Sequence, residues 1–157
     1  MHKQFNIART TTENEDFIQL VHKLDNELWN ELNEDQSVYD QYNKVPNIQT
    51  AIIIYDDEKP VAIGCYKAYN SDTVEIKRMY VDKAYRGKGI SKIVLNELER
   101  WAIENGFAYS ILETSVHFNI AQGLYSKAGY GIIPNYDPYK DLEESVCMKK
   151  ELINCFN

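Results

Sequence analysis

Two glycines stand between a predicted strand and a predicted helix, where backbone groups could bind an anion. Residues 74–105 combine a β-branched strand, a short basic turn containing Gly87 and Gly89, and an amphipathic helix. Glycine lets the backbone curl around an anion, and the N–H groups of a first helical turn point toward it. The spacing therefore predicts a docking site for a phosphate-bearing cofactor in this turn.

Charge is distributed unevenly along the chain. The 157 residues carry a formal net charge of −7, yet residues 77–92 contain six lysines and arginines against Asp82 alone. This segment has a charge of +5, which leaves −12 for the remainder. An acidic chain is a poor general binder of nucleic acid or of anionic membranes. A basic island in it favours a small polyanionic ligand.

Three kinds of phosphate-binding turn can be compared with residues 86–91. A P-loop requires Gly-x4-Gly-Lys-[Ser/Thr], and the chain contains no such string. A dinucleotide fingerprint requires a third glycine where Lys92 stands, and it belongs in the first strand–helix unit rather than after several strands. The pattern Arg-x-x-Gly-x-[Gly/Ala/Ser] is matched by Arg86, Gly89 and Ser91. The third pattern is therefore favoured.

Hydrophobic periodicity divides the chain into strands and helices in the order β-α-(α)-β-β-β-α-β-α-β-β. This order is typical of a mixed α/β domain, and the length predicts one domain over residues 1–157. Strands are predicted at residues 4–9, 50–55, 61–68, 74–81, 109–115, 130–133 and 145–150, and helices at 12–32, 37–45, 90–105 and 119–129.

Polar residues and glycine predict where several helices begin and end. Thr12, with Glu15 three residues later, fits a capping box. Asn119 is placed to cap the helix that contains Tyr125. Asn105-Gly106 is typical of a helix C-terminus, so the preceding helix is expected to end there.

Cysteine and histidine usage predicts neither a disulfide framework nor a metal site. The cysteines form no CxxC pair and the histidines are scattered, at Cys65, Cys147 and Cys155 and at His2, His22 and His117. No apolar run has the length of a signal peptide or a membrane span. We therefore expect a cytoplasmic protein with reduced thiols and no metal, nucleic-acid or membrane partner.

Two separate motifs resemble the GNAT superfamily of acyl-CoA-dependent N-acetyltransferases. They are KRMYVDKAYRGKGISKIVL at residues 77–95 and AQGLYSKAGYGII at residues 121–133. The resemblance covers residues 50–150 well and the first 45 residues only by the order of elements. It implies a GNAT-like fold with a central, mostly antiparallel sheet, splayed at the cofactor strand and flanked by helices.

The resemblance also implies which residues bind the acyl donor, acetyl-CoA. Backbone groups of residues 79–81 would pair with the amides of pantetheine, and N–H groups of residues 87–92 would hold the pyrophosphate. Arg86, Lys88 and Lys92 would add positive charge. The implied cofactor-binding residues are Met79, Tyr80, Val81, Arg86, Gly87, Lys88, Gly89, Ile90, Ser91, Lys92 and Asn119.

Tyr125 matches the family's tyrosine, whose hydroxyl can protonate the departing thiolate. The family's usual asparagine lies seven residues before that tyrosine, where this chain has Phe118, and Asn119 lies one residue later. An amine must be neutral to attack, so a general base is also expected. Glu113, Glu75 and His117 are all candidates for this base, and spacing does not separate them.

The function implied is direct transfer of an acetyl group from acetyl-CoA to a primary amine of a small molecule or peptide. The alternative is a non-catalytic acyl-CoA-binding or sensor module on the same fold. The acidic body favours a cationic acceptor such as a polyamine, aminoglycoside or basic peptide end, whereas Arg78 would suit an amine that carries a carboxylate. Tyr136 and Tyr139 could line the acceptor cleft, and a homodimer is left open.

Overall fold

The computed structural model describes residues 4–32 and 47–152, except for the side chains of residues 31 and 32. Its strands and helices follow the predicted order, and the helix predicted at 37–45 lies outside the described residues. The elements are β1 (Asn6–Thr10), α1 (Glu15–Leu32), β2 (Ala51–Asp56), β3 (Lys59–Ala68), β4 (Thr73–Val81), α2 (Ile90–Glu104), β5 (Tyr109–Ser115), α3 (Asn119–Lys127), β6 (Gly131–Ile133) and β7 (Ser145–Glu151).

The described strands form one mixed sheet in the order β1-β2-β3-β4-β5-β7-β6. The pairs β1–β2, β2–β3, β5–β7 and β6–β7 are antiparallel. β4 and β5 are parallel, and their pairing runs only from Thr73–Tyr109 to Glu75–Ile111. The expected mixed α/β architecture is confirmed. Among the described residues, no helix combines the length and the apolar character needed to cross a bilayer.

The first of two compact units comprises residues 1–67 and 77–98. Its hydrophobic core forms where α1 sets Phe17 and Leu20 against β2, β3 and β4, through Ala51, Ile53, Ile63, Cys65 and Tyr80. Phe17 and Leu20 lie three residues apart, so both face the sheet from one side of the helix. Full burial of such a side chain stabilises the fold by roughly 1.5–3 kcal/mol.

The N-terminus of α1 is capped by Asn14 and not by Thr12. The Asn14 side-chain oxygen accepts from the N–H groups of Asp16, at 2.8 Å, and Phe17, at 3.4 Å. The Thr12 hydroxyl oxygen instead accepts from the N–H of Ile48 at 2.9 Å. The predicted capping box was therefore wrong, because a contact 36 residues away occupies the threonine.

Gly64 in β3 lies where three side chains leave no room for a methyl group. A Cβ built there would stand 2.7 Å from Met79 Sδ, 2.7 Å from Val94 Cγ1 and 3.0 Å from Leu98 Cδ1. We expect Gly64→Ala to lower the free energy of unfolding by about 1–3 kcal/mol, measured by urea denaturation.

Gly123 in α3 provides the matched control for this substitution. A Cβ at Gly123 meets nothing within 4 Å, so Gly123→Ala should raise helix propensity and stabilise the chain by up to about 1 kcal/mol. The two alanine variants should change stability in opposite directions, and a Gly64→Ala variant as stable as wild type would contradict the packing.

The second compact unit comprises residues 68–76 and 99–157. A buried polar cluster lies within it around Glu99, whose side chain is fully buried. Lys150 Nζ donates to Glu99 Oε1 at 2.8 Å, and the Tyr130 hydroxyl donates to Oε2 at 2.8 Å. Ser110 Oγ lies 2.8 Å from the same hydroxyl. The carboxylate is thus neutralised and hydrogen-bonded, which burial of a charge requires.

Candidate functional site

The glycine turn, residues 86–89, owes its shape to two residues with left-handed backbone. Gly87 and Gly89 both have φ of +78°, and a Cβ on either would meet no atom within 4 Å. Glycine is therefore required here by backbone conformation rather than by space. The turn follows a 3-10 turn at Lys83–Tyr85, which Asp82 caps by accepting from the N–H of Ala84 at 3.1 Å.

α2 begins directly after this turn and leaves its first N–H groups available. Its first intrahelical bond runs from the N–H of Ile93 to the carbonyl of Gly89 at 3.3 Å. The N–H groups of Ile90, Ser91 and Lys92 precede that bond, so the helix offers them no carbonyl. They lie at the positive end of the helix dipole, beside exposed glycines. This arrangement fits a phosphate group.

Arg86 holds the glycine turn in place within the first unit through three contacts. Its Nε donates to the carbonyl of Val81 at 2.8 Å, and its Nη2 donates to Glu27 Oε2 at 2.8 Å. Its guanidinium also lies 5.4 Å from the centre of the Tyr80 ring. These contacts hold the turn against β4 and α1, so Arg86 positions the turn. Sequence reasoning missed Glu27, which lies 59 residues from Arg86.

Lys88 and Lys92, the other two expected sources of positive charge, are exposed. The Lys88 ammonium lies 5.4 Å from the centre of the Tyr85 ring. The Tyr85 hydroxyl donates to Asp56 at 2.6 Å, which fixes the ring beneath the lysine. The Lys88 ammonium is therefore held beside the Tyr85 ring and still faces water.

The outer part of β4 contains a residue in an unusual backbone conformation. Arg78 has φ of +58°, in the left-handed region that non-glycine residues rarely adopt. Such a residue within a strand is typical of a β-bulge, which redirects the groups that follow it. Met79, Tyr80 and Val81 come directly after it. The carbonyl of Val81 already accepts from Arg86, so Met79 and Tyr80 remain the better sources of backbone groups for a ligand.

Tyr125 lies buried in α3 within the second unit. Its ring contacts that of Tyr130 edge-on, with centroids 6.0 Å apart. Its hydroxyl has no hydrogen-bond partner among the described residues. Burial raises the pKa of Tyr125 to about 12, and the negative charge of Glu113 acts in the same direction. The phenol is therefore protonated throughout the physiological pH range and can act as a proton donor.

Glu75 and Glu113, the two candidate bases, each accept a hydrogen bond from a neighbour in the second unit. The Tyr136 hydroxyl donates to Glu75 at 2.8 Å, and the Ser145 hydroxyl donates to Glu113 at 2.6 Å. Burial raises the pKa of the Cys147 thiol to about 11, and the charges of both glutamates add to the rise. A backbone hydrogen bond from Tyr136 acts in the opposite direction and lowers this pKa. Both carboxylates therefore lie near Cys147.

The two glutamates differ in accessibility. Glu75 is only 3% exposed, whereas Glu113 is partly exposed. Glu113 also acts electrostatically on Tyr125. His117 is more than half exposed, and its Nε2 pairs with the carboxylate of Glu144. The charge of Glu113 thus acts on both Tyr125 and Cys147, and that of Glu75 acts on Cys147 and Tyr136, whereas His117 pairs with another carboxylate.

The Tyr136 side chain, whose hydroxyl donates to Glu75, lies in an aromatic cluster. Tyr136 makes edge-on ring contacts with Tyr69 at 5.2 Å and Tyr139 at 5.6 Å. Burial raises the pKa of Tyr136 well above its usual range, and the charge of Glu75 adds to the rise.

Asn135, which sequence reasoning missed, holds the loop between β6 and β7. Its amide nitrogen lies within 3.3 Å of the carbonyls of Tyr139, Leu142 and Ser145.

Asn119 is the first residue of α3 rather than its cap. Phe118 occupies the capping position, and no side chain bonds to the helix end there. The predicted cap was therefore wrong by one residue. The Asn119 side chain is exposed and is not used as a cap.

Within the described ranges, no three His, Cys, Asp or Glu side chains are grouped as a metal would require.

Comparison with known proteins relates the chain to acetyltransferases. The sequence model of the "Acetyltransferase (GNAT) family" matches residues 14–130. N-acetylaspartate synthetase of Homo sapiens is 29% identical over 109 residues, which are 69% of this chain and 36% of that protein. Three curated relatives are matched over 36%, 64% and 40% of their own length, so the chain spans about a third to two thirds of them.

Solved structures resemble the chain over almost its whole length. A "putative acyl-CoA N-acyltransferase" of Klebsiella pneumoniae has a TM-score of 0.80 at 24% identity, covering 96% of this chain and 99% of that one. A GNAT family acetyltransferase of Elizabethkingia anophelis, crystallised with acetyl-CoA bound, has a TM-score of 0.70 at 16% identity, with coverages of 96% and 99%. At these identities the likeness shows a shared fold.

Proposed function

Because this chain belongs to the acetyltransferase (GNAT) family, we propose that it transfers an acetyl group from acetyl-CoA to a primary amine of a small molecule or peptide. The observation that carries this proposal is the glycine turn before α2. Its two left-handed glycines and the first N–H groups of the helix would together bind the pyrophosphate of the donor. A P-loop or dinucleotide fingerprint is absent from the sequence.

The donor is held by backbone groups in this proposal. The N–H groups of residues 87–92 would bind the pyrophosphate, and exposed Lys88 and Lys92 would add positive charge. Backbone groups of Met79 and Tyr80, which follow the left-handed residue Arg78, would pair with pantetheine amides. Arg86 would position the turn through Glu27 rather than contact a phosphate itself.

Residues of the second unit would move the protons. Bound acetyl-CoA supplies a thioester whose acetyl carbon accepts the amine nitrogen as the C–S bond breaks. The attacking amine must lose one proton, and the departing sulfur must gain one. A carboxylate, Glu113 or Glu75, would take the first proton directly or through water. Tyr125, protonated and without a described partner, would deliver the second.

A panel of amines tests the proposal. Purified protein is mixed with acetyl-CoA and each amine, and release of free thiol is followed together with calorimetric titration of acetyl-CoA. The proposal predicts acetyl-CoA binding and thiol release that rises with at least one amine. Acetyl-CoA binding without amine-dependent release would instead indicate an acyl-CoA-binding or sensor module. Absence of both would overturn the proposal and the assignment of the glycine turn.

Substitution of the candidate bases should separate their roles. We expect Glu113→Gln to lower kcat/KM by about 10²-fold, because glutamine cannot accept the proton. Glu75→Gln should have a smaller effect, since that carboxylate is almost inaccessible. The measurement is kcat/KM against pH for both variants with the best amine of the panel.

Glu144→Gln is the matched control for the base, because it removes a carboxylate that pairs with His117. It should leave the profile unchanged if His117 is not the base. A profile that collapses in Glu75→Gln and survives in Glu113→Gln would transfer the role to Glu75.

A further inference from the structure

Arg78 is a buried arginine at a position where the backbone disfavours any residue with a side chain. Only 5% of its side chain is exposed, and its φ of +58° lies in the left-handed region. Glycine or asparagine would adopt this conformation more readily. A long cationic side chain in such a place is typical of a functional constraint rather than of a turn requirement.

Among the described residues, the hydrogen-bond partners of the Arg78 guanidinium account for only part of its donors. Its Nη2 donates to Asp25 Oδ1 at 2.5 Å, and this carboxylate, on α1, is 40% exposed. Its Nε is buried and has no hydrogen-bond partner among the described residues. No hydrogen bond or ion pair joins the other terminal nitrogen to a described residue. Buried donors without a partner are rare, and each calls for a group that completes it.

A carboxylate is the group that matches these free donors. The guanidinium is planar, always charged, and presents paired N–H groups that fit the two oxygens of a carboxylate. Asp25 is accessible enough to turn toward water when a second anion arrives. Glu27, two residues further along α1, accepts from Arg86 instead.

We infer that Arg78 binds a carboxylate of the acceptor, so that the substrate class is an amine that also carries a carboxylate, such as an amino acid. This inference rests on the proposed acetyl transfer and narrows it. Polyamines and aminoglycosides, which the acidic charge outside residues 77–92 would attract, lack that carboxylate. They are the competing acceptors.

Matched acceptor pairs test the inference. The panel contains α-amino acids, ω-amino acids such as β-alanine and γ-aminobutyrate, and the amide of each acid, with spermidine and kanamycin as cations. We expect at least one acid to exceed its own amide by about tenfold or more in kcat/KM. An α-amino amide is less basic than its acid, so it is more readily neutral at a given pH. A preference for the α-amino acid therefore cannot arise from amine basicity.

Arg78→Lys separates binding from a merely structural role. Lysine keeps the charge and the backbone strain but loses the paired donors. For the preferred acid, KM should rise about tenfold or more with kcat within about threefold, and the amide should be unaffected. Arg9→Lys, which alters an arginine paired with Glu97 at 3.0 Å, is the matched control and should change neither.

Asp25→Asn provides a second variant in case Arg78→Lys fails to fold. Removing the competing charge should lower KM for the acid by about threefold. Calorimetric titration of the acids into CoA-saturated protein gives a binding readout even if no amine is acetylated, so failure of the proposed function remains distinguishable. Equal or better turnover of amides and polyamines, an equal loss for acid and amide in Arg78→Lys, or a higher KM in Asp25→Asn would overturn the inference.

Discussion

Tyr125→Phe is expected to lower kcat by about 10²-fold while leaving the affinity for acetyl-CoA within about twofold of wild type. The substitution removes one hydroxyl and keeps the ring that packs edge-on against Tyr130. The hydroxyl has no described partner, so its loss breaks no internal hydrogen bond. The effect should therefore appear in turnover, measured as thiol release at saturating substrates, and not in stability or in calorimetric titration of acetyl-CoA.

Tyr55→Phe is the matched control for this variant. Its hydroxyl donates to Asp16 at 2.7 Å, and burial together with that bond also raises the pKa of Tyr55 to about 12. Tyr55→Phe should cost about 1 kcal/mol of stability and leave kcat unchanged. An unchanged kcat in Tyr125→Phe would remove this tyrosine from the mechanism.

The pH dependence of Tyr125 follows from the sign of its shift. Burial and the charge of Glu113 raise its pKa to about 12, so the phenol keeps its proton as pH rises and loses it only near that value. Wild-type kcat should therefore not fall between pH 7 and about 10 through loss of this proton. An alkaline limb in that range that disappears in Tyr125→Phe would contradict the raised pKa.

Local pattern was sufficient to predict most of the elements. β2 and β3 were recognised from runs of apolar residues around a turn at Asp57, whose φ is +53°. The end of α2 was recognised from Gly106, whose φ is +89°. In both cases the information lies in adjacent residues. The cap of α1 was missed because the choice between Thr12 and Asn14 depends on Ile48, a distant residue.

Burial of charged groups could not be predicted from local pattern. Glu99 lies beside the apolar face of α2 and would be expected to face water, yet it is fully buried. Its partners Tyr130 and Lys150 are 31 and 51 residues away in the chain.

The candidate site follows the same division between local and distant information. The glycine turn is a contiguous pattern, and both glycines have the expected left-handed conformation. The carboxylates that restrain its arginines are not contiguous, since Asp25 lies 53 residues from Arg78 and Glu27 lies 59 residues from Arg86. The sequence therefore indicated the turn that we propose as the anion site. It did not separate the arginine that positions the turn from Arg78, whose Nε has no partner among the described residues.

Gly89→Glu is expected to weaken acetyl-CoA binding by more than about 10²-fold, so that calorimetric titration detects no heat of binding at concentrations that saturate wild type. A glutamate at this position opposes the anion with its own charge and adds a side chain at the mouth of α2. It also forces a non-glycine residue to φ of +78°, which favours rearrangement of the turn. Gly89→Ala keeps the unfavourable backbone conformation but adds no negative charge, so it should lose less affinity.

Gly106 supplies the control that separates these effects from general strain. It has φ of +89°, and a Cβ there also meets nothing within 4 Å, but it follows the C-terminus of α2 instead of preceding its N-terminus. Gly106→Glu should therefore destabilise the fold by about 1–2 kcal/mol, as Gly89→Glu should, and leave acetyl-CoA binding intact. Equal affinity in Gly89→Glu and wild type would place the phosphates elsewhere. Equal losses in the two glutamate variants would attribute the effect to folding, and only the expected difference between the two helix ends supports an anion held by the first turn.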